Sequence, residues 1–281
     1  MVNYNQWIKN AKQKMSAKGY EENAVEWLVM DLCQWSRTQM ILNEKDVVSQ
    51  NRLKQLEQGL SLLLKGMPVQ YVVGQAHFYG RIFKVNPNVL IPRPETEEVV
   101  HYFLNQIRPT MTVADVGVGS GIIAVTLKAE INDLTVYGSD ISKSALSVAQ
   151  NNAKKHNCEI HFMEGDALKP YIEQGIQLEG LISNPPYISK EEVNVMGKDV
   201  LEFEPHLALF AEEQGYQVYK ALIRDLPAVM CDGAPVVFEI GYQQGEFLTQ
   251  LMQTWFPHIK TQVIDDINGQ PRIFTFNWHK I

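Results

Sequence analysis

From Thr110 onward, short apolar runs of strand type alternate with longer amphipathic runs of helix type. The run "TVADVG" is followed by a glycine-rich turn and the helix-like "GIIAVTLKAE", and "LTVYGSD" is followed by "SKSALSVAQNNAKKH". The alternation continues through "EGLISNPPY", "APVVFEIG" and "QQGEFLTQLMQTWF". Strands that are separated by helices pair in parallel and carry those helices on both faces of the sheet. We therefore predict an α/β fold built on a largely parallel sheet.

The last two strand-like runs break this alternation. "IKTQVIDD" and "PRIFTFNWH" are separated only by "INGQ", and Asn-Gly is a strong hairpin signal. Two strands that are joined so tightly must run antiparallel. A parallel sheet that ends in an antiparallel hairpin resembles the class I methyltransferase fold, a Rossmann-like seven-stranded sheet, more than the fold of the dinucleotide dehydrogenases.

The N-terminal part has a helical rhythm instead. In residues 22–35 and 49–65, apolar side chains recur at intervals of three to four, which predicts a small helical bundle. The pieces "VQYVVG", "AHFYG" and "RIFKVN" that follow are rich in β-forming residues and are punctuated by glycine, which predicts a hairpin-like connector. The predicted division is a helical substrate-docking domain over residues 1–67, a β-hairpin connector over 68–92 and a methyltransferase domain over 93–281.

Composition excludes several classes of protein. The 281 residues are 45% apolar and 20% charged, which is typical of a folded globular chain. The sequence has no run of about eighteen apolar residues, so we expect no membrane-spanning helix. The start lacks an apolar core followed by small residues, so we expect no secretory signal. The three cysteines are few and far apart, which favours a reduced, cytoplasmic protein.

The stretch "ADVGVGSG" places Asp115 at a strand end and three glycines, Gly117, Gly119 and Gly121, before a helix. Glycines permit positive φ angles and let a ligand approach the backbone closely. A dinucleotide fingerprint is usually G-x-G-x-x-G with a pyrophosphate over the helix N-terminus. Here the spacing is G-x-G-x-G with an acid two residues earlier, and an acid suits a sulfonium or amino group better than phosphates. The loop therefore favours S-adenosylmethionine over NAD.

Two further acids follow predicted strands. Asp140 stands 23 residues after Gly117, a spacing that suits hydrogen bonds from ribose hydroxyls, although it is equally placed to cap a helix that begins at Ser142. Asp166 is placed to accept a hydrogen bond from an adenine amino group, or is a turn aspartate in a Gly-Asp pair. Because ligands of open α/β sheets bind at the carboxyl ends of the strands, we expect these acids to share one site.

The stretch "SNPPYI" follows the fourth predicted strand. Its two prolines stop the sheet and stiffen the loop, since proline donates no backbone hydrogen bond. The side-chain oxygen of Asn184 and the carbonyl of Pro185 are placed to accept the two N–H groups of a planar amide or amino nitrogen, so that its lone pair faces an activated methyl. Tyr187 offers a ring face to the flat group. We therefore predict a clamp for nitrogen methylation.

With these motifs in hand, the chain resembles the HemK family of protein-glutamine methyltransferases, which methylate the glutamine of the Gly-Gly-Gln motif in peptide chain release factors. The resemblance covers nearly the whole chain and is carried by "VLIPRPETEE", "DVGVGSG", "GSDIS", "SNPPYI", "FEPHLALF" and "NGQPRIF". It implies S-adenosylmethionine as the cofactor and release factors as the partners.

The resemblance also implies the residues of the site. Those that would contact the cofactor are Gly117, Val118, Gly119, Ser120, Gly121, Asp140, Leu168 and Asn184, besides the Asp166 that the strand pattern suggests. Those that would hold the glutamine side chain are Asn184, Pro185, Pro186 and Tyr187, with Leu90 on the opposite wall of the pocket.

Two other functions fit parts of the pattern. Asn-Pro-Pro-Tyr is shared with DNA adenine-amino methyltransferases, which would flip a base against the same clamp. A DNA or RNA methyltransferase needs a basic surface, whereas residues 75–281 hold sixteen Lys and Arg against twenty-five Asp and Glu. A cofactor-binding scaffold without catalysis is the other alternative, and the combination of acids, glycines and Asn184 argues against it. We expect no metal site, because Cys158 and His161 form a C-x-x-H pair without a second pair.

Overall fold

The computed structural model describes residues 2–195 and 197–280, which form two compact units. The first unit comprises the chain up to Gln75 and a helix at Lys198–Phe203, and the second comprises the remaining chain. No helix among the described residues is both long and apolar enough to cross a bilayer.

The first unit is helical, as predicted. Its N-terminal helices are α1 (Tyr4–Ala17), α2 (Asn23–Cys33), α3 (Arg37–Leu42), α4 (Gln50–Leu63) and α5 (Val69–Val73). Asn3, Ser36 and Ser49 accept hydrogen bonds from first-turn amides and so begin α1, α3 and α4. The apolar faces of these helices meet in one core, where Gly59 lets the side chain of Leu28 approach the α4 backbone.

The segment Val69–Val73 is helical, so the prediction of a β-rich piece at "VQYVVG" was wrong. The residues have strand propensity, but Pro68 precedes a short helix and Gly74 ends it in the left-handed conformation. Tyr71 is buried and the three valines pack against the core of the helical unit. Burial of this apolar face outweighs local propensity, which is a weak determinant in a packed context.

The other two pieces of the connector form the predicted two-stranded sheet. Strands β1 (Gln75–Phe78) and β2 (Arg81–Lys84) are joined by Tyr79 and Gly80, whose φ angles of 49° and 72° are both positive. Two positive φ angles are the mark of the tight hairpin turn that matches strand twist. The limits predicted for the three segments of the chain stay predictions.

Within the described residues, seven strands form the main sheet of the second unit. They are β3 (Thr112–Val116), β4 (Thr135–Asp140), β5 (His161–Glu164), β6 (Gly180–Ser183), β7 (Pro235–Glu239), β8 (Thr261–Asp265) and β9 (Pro271–Asn277). Their order is β5-β4-β3-β6-β7-β9-β8; the first five are parallel, and β9 pairs antiparallel with both β7 and β8. The predicted sheet with its terminal antiparallel hairpin is confirmed.

The helices that accompany the sheet cover both of its faces. They are α6 (Pro94–Leu104), α7 (Ile122–Glu130), α8 (Lys143–Lys155), α9 (Lys169–Glu173), α11 (His206–Leu209), α12 (Gln217–Val229) and α13 (Gly245–Trp255), while α10 is the Lys198–Phe203 helix of the first unit. Side chains of α6, α7 and α8 pack in one apolar cluster, and those of α9, α12 and α13 pack in the other. Burial on both faces explains the nearly continuous apolar runs of the central strands.

Candidate active site

Three neighbouring parallel strands end level with one another. Val116, at the end of β3, is in register with Ser139 of β4 on one side and with Ser183 of β6 on the other. The hydroxyl of Ser183 donates to the carbonyl of Val116 at 2.6 Å. Gly117 and Asn184 come directly after the ends of β3 and β6, and Asp140 is the last residue of β4; all three are predicted site residues.

The glycine loop after β3 has the backbone conformation that only glycine adopts readily. Gly117, Gly119 and Gly121 have φ angles of 77°, 52° and 82°. The amides of Gly117 and Val118 donate to the carbonyl of Ser139 at 2.8 and 2.9 Å, which ties the loop to β4. A Cβ atom on Gly121 would lie 3.1 Å from the Cα of Ala149, so the start of α7 also packs closely on α8.

Asp140 supports the loop and the start of α8 at the same time. Its Oδ2 accepts from the amide of Gly119 at 2.9 Å, and its Oδ1 accepts from the amide of Ser142 at 2.8 Å. Ser142 itself caps α8 through its hydroxyl. Burial raises the pKa of Asp140 and the backbone hydrogen bonds oppose that rise. A carboxylate has about four acceptor positions, so capacity remains for hydroxyl donors.

The other two acids differ in exposure. Asp115 is fully buried, and its Oδ2 accepts from the amide of Ala124 in the first turn of α7 at 3.0 Å. Burial raises the pKa of Asp115 to about 7, and its Oδ1 has no hydrogen-bond partner among the described residues. Asp166 is exposed and forms an ion pair with Lys169 at 2.6 Å. Asp115 thus fixes the first turn of α7, which follows the glycine loop, whereas Asp166 is open to solvent.

A cavity of about 490 Å³ opens at this edge of the sheet, a size that suits small-molecule ligands. The predicted site residues that line it are Leu90, Gly117, Val118, Gly119, Ser120, Asp140, Asp166, Asn184, Pro185 and Pro186. Gly121, Leu168 and Tyr187 are not among the described residues of the lining. Leu168 lies instead in the core, with no exposed surface. Its predicted contact with a cofactor stays a prediction.

Asn184 is held by two residues that the sequence patterns did not single out. Its Nδ2 donates to the hydroxyl of Thr96 at 3.3 Å, and that hydroxyl donates to Oε2 of Glu239 at 2.7 Å. Glu239 is the last residue of β7, which pairs with β6, and Thr96 lies in the first turn of α6. The acid within the apolar run "APVVFEIG" was an available signal, because a buried carboxylate needs partners.

The loop that carries Asn184 is also fixed at its far end. The carbonyl of Tyr187 accepts from Nε2 of Gln244 at 3.0 Å, and the amide of Ile188 donates to the carbonyl of Leu209 at 3.0 Å. The ring of Tyr187 packs against the core on the α12 and α13 face, and burial raises the pKa of its hydroxyl well above the ordinary value. The predicted contact of this ring with a substrate group stays a prediction.

Glu204 supports the "IPRP" segment, which is another part of the cavity wall. It is 4% exposed, and its two oxygens accept from the amide of Ile91 at 3.2 Å and from the guanidinium of Arg93 at 2.6 Å. Ile91 and Arg93 flank Pro92 in the "IPRP" segment, next to Leu90. A buried carboxylate therefore fixes a segment that lines the same cavity as Asn184, Pro185 and Pro186.

The sheet order, the glycine loop and the acid-lined cavity at the carboxyl edge define a class I methyltransferase. A family model described as "Methyltransferase small domain" matches residues 96–203, and one described as "PrmC N-terminal domain" matches residues 6–74. The chain belongs to the release factor glutamine methyltransferase family. The family resemblance inferred from the motifs is thus confirmed, and the protein is an enzyme.

Curated relatives match the chain from end to end. The release factor glutamine methyltransferase of Staphylococcus aureus is 49% identical, with 99% of this chain and 100% of that protein covered. Its counterpart in Bacillus subtilis is 39% identical, with 97% of each covered. Among solved structures, a methyltransferase from Pyrococcus furiosus has the same fold, with a TM-score of 0.53 at 14% identity over 83% of this chain and 100% of that one.

Proposed function

We propose that this enzyme transfers a methyl group from S-adenosylmethionine to the side-chain amide nitrogen of the glutamine in the Gly-Gly-Gln motif of peptide chain release factors. The observation that carries the proposal is the pair of acceptors at the cavity, Oδ1 of Asn184 and the carbonyl of Pro185. Neither accepts a hydrogen bond from another described residue. The full-length relatives named as release factor glutamine methyltransferases support the choice of substrate.

The chemistry explains why two fixed acceptors are needed. An amide nitrogen is a poor nucleophile because its lone pair is delocalised into the carbonyl. If Asn184 and Pro185 each accept one N–H of the glutamine, the nitrogen is held with its remaining face towards the methyl donor. The same two oxygens then stabilise the positive charge that develops on nitrogen in the transition state. Neutral acceptors suit a buried position, because an unpaired carboxylate there would be costly.

The edge of the sheet fits S-adenosylmethionine. The glycine loop permits close approach of a ligand, Asp140 retains acceptor capacity for ribose hydroxyls, and Asp166 lies at the open side for an amino group. Gly121 and Leu168 would contribute through their backbones, since neither lines the cavity. When bound, this cofactor supplies a methyl group on a sulfonium, which is electrophilic without any metal.

The walls of the cavity would hold the flat glutamine side chain. Pro186 lies beside the two acceptors, and Leu90 lines the cavity from the segment that Glu204 fixes. In this proposal the Tyr187 ring offers its face to the flat group, while its carbonyl is fixed by Gln244. The proton that the methylated nitrogen loses passes to water.

We infer that the helical domain, residues 1–67, contributes to docking of the release factor. Residues 1–74 carry nine Lys and Arg against seven Asp and Glu, whereas the rest of the chain is acidic. Because release factors act in translation, we place the enzyme in the cytoplasm, where its three free cysteines stay reduced.

Incubation with labelled cofactor and either a release factor or duplex DNA tests the substrate. We expect label in the release factor at the motif glutamine and none in DNA. A release factor whose motif glutamine is replaced by glutamate is the matched control and should remain unlabelled. Transfer to DNA, or equal transfer to the control protein, would overturn the proposal.

A further inference from the structure

The hydroxyl of Thr96 determines which way the Asn184 carboxamide faces. A threonine hydroxyl has one hydrogen to donate, and this one is directed at Oε2 of Glu239, an ionised carboxylate being an acceptor only. Thr96 therefore meets Asn184 as an acceptor, so it binds the NH₂ group. The oxygen of the same carboxamide is left without a donor among the described residues, and Asn184, like Thr96, lines the cavity.

We propose that Thr96 and Glu239 are positioning residues for the methylation, which hold Asn184 with its oxygen, and not its NH₂ group, presented to the substrate amide. This inference rests on the proposed function, since it concerns the orientation of one of the two acceptors. Neither residue touches the substrate nitrogen in this arrangement, and both act through Asn184.

The chain of hydrogen bonds joins parts of the protein that are far apart in sequence. Thr96 and Glu239 are each 1% exposed, and their contact spans 143 positions of the chain. The Thr96 contact with Asn184 spans 88 positions. Because α6, β6 and β7 are packed elements of one sheet domain, the three side chains have little freedom to rearrange.

A reversed carboxamide would work against the reaction. It would direct two N–H donors at a substrate nitrogen that itself carries two hydrogens, and it would leave the acceptor pair incomplete. Thr96 would in turn face an oxygen while its only hydrogen is given to Glu239. A buried polar group without a partner is destabilising, so the observed orientation is preferred.

Protonation of Glu239 reverses the direction of the hydrogen bonds that join Glu239, Thr96 and Asn184. A protonated Glu239 donates to Thr96, which then donates to Oδ1 of Asn184 and turns the NH₂ group towards the cavity. Burial raises the pKa of Glu239 to about 7, opposed by the hydrogen bond from Thr96. The charged and titratable groups around it are Arg93, Glu95, Tyr187, Tyr219 and Arg272. Activity is therefore expected to fall as the pH drops below neutrality.

Three variants test the inference on the full chain with labelled cofactor and release factor. Thr96→Val keeps the shape but removes the hydroxyl, and we expect kcat to fall at least about tenfold, the value of one hydrogen bond. The dissociation constant for the cofactor should not change. Thr96→Ser restores the hydroxyl and should recover most of kcat. Thr126→Val removes another buried threonine hydroxyl, one without a partner among the described residues, and should leave kcat unchanged.

The pH profile separates positioning from a structural role. The kcat of the wild type should fall as the pH drops below neutrality. Thr96→Val and Glu239→Gln should show no such fall, because neither variant has hydrogen bonds whose direction depends on protonation of residue 239. Thermal unfolding of each variant confirms that it is folded. The inference is wrong if Thr96→Val behaves like Thr126→Val, or if it keeps the acid loss of the wild type. Failure of the wild type to methylate the release factor at all would instead overturn the proposed function.

Discussion

Gly215 lies directly against the backbone carbonyl of Tyr187. A Cβ atom at residue 215 would overlap that oxygen and would lie 2.9 Å from Nε2 of Gln244, the group that donates to the same carbonyl. The φ angle of Gly215 is 87°, in the left-handed region that favours glycine. Tyr187 ends the Asn-Pro-Pro-Tyr loop, so the position of both acceptors depends on a residue without a side chain.

Gly215→Ala should therefore lower the kcat of methyl transfer strongly in protein that is still folded. The added methyl group must displace the Tyr187 carbonyl, which shifts the acceptors, and a small misplacement of this kind costs about a hundredfold in rate. Gly233→Ala is the matched control, because Gly233 also has a positive φ angle but has open space around it. Steady-state kinetics and thermal unfolding of both variants provide the measurement. Equal activity of the two alanine variants would contradict the expected role of the contact.

Asp140→Ala should weaken cofactor binding about tenfold to a hundredfold, the cost of losing charge-assisted hydrogen bonds in a buried position. Asp166→Ala should have a much smaller effect, because Asp166 is exposed and already paired with Lys169. Calorimetric titration with S-adenosylhomocysteine measures both. A larger loss of cofactor affinity in Asp166→Ala than in Asp140→Ala would contradict this prediction.

Asn184→Ala should abolish methyl transfer while leaving cofactor affinity largely intact. The side chain supplies one of the two acceptors, whereas Asp140 and the glycine loop provide the main contacts expected for the cofactor. Single-turnover transfer and cofactor titration on the same preparation separate the two effects. Parallel loss of transfer and of affinity would mean that Asn184 serves binding or folding instead.

Asp115 should make the protein less stable as the pH rises from about 4 to about 7. The unfolded chain releases this proton near the ordinary pKa of 3.8, whereas burial raises the folded pKa to about 7. Between these values only the folded state holds the proton, so the stabilisation present at low pH is lost through this window and the loss is complete above it. The upper limit of the effect is roughly 4 kcal/mol.

Asp115→Asn isolates this contribution, because the carboxamide is neutral throughout. The free energy of unfolding of the variant, relative to the wild type, should increase between pH 5 and pH 8. The NH₂ group of the asparagine has no partner and lowers the free energy of unfolding by the same amount at every pH, so it does not alter this dependence on pH. Urea denaturation at several pH values measures it, and a difference that is independent of pH would refute the raised pKa.

The parts of the fold that follow from local pattern were predictable. Alternating runs and the Asn-Gly turn were sufficient for the parallel sheet and its antiparallel end, because periodicity reflects which faces are buried. The same reliance on local pattern made the prediction of a strand at "VQYVV" wrong, because this segment is helical. Its side chains favour a strand in isolation, and the packing of Val69, Val72 and Val73 against the core of the helical unit decides otherwise.

The position of a candidate residue was predictable where a strand end carries the motif, as at Gly117, Asp140 and Asn184, which all line one cavity. It was not predictable where support comes from a distant element. The contact of Thr96 with Glu239, like that of Ile91 with Glu204, joins residues more than a hundred positions apart. Nothing in the local pattern around either residue specifies its partner, since that choice depends on how the sheet is assembled.

The position of β9 has a consequence for synthesis on the ribosome. This strand is translated after both β7 and β8, yet it pairs between them. Until the chain has emerged as far as Asn277, the edge of β7 that pairs with β9 is open. Glu239, the last residue of β7, then lacks the neighbouring strand β9 and its Arg272. A nascent chain can thus assemble the glycine loop early, but the residues behind Asn184 gain their final surroundings only when the last strand inserts.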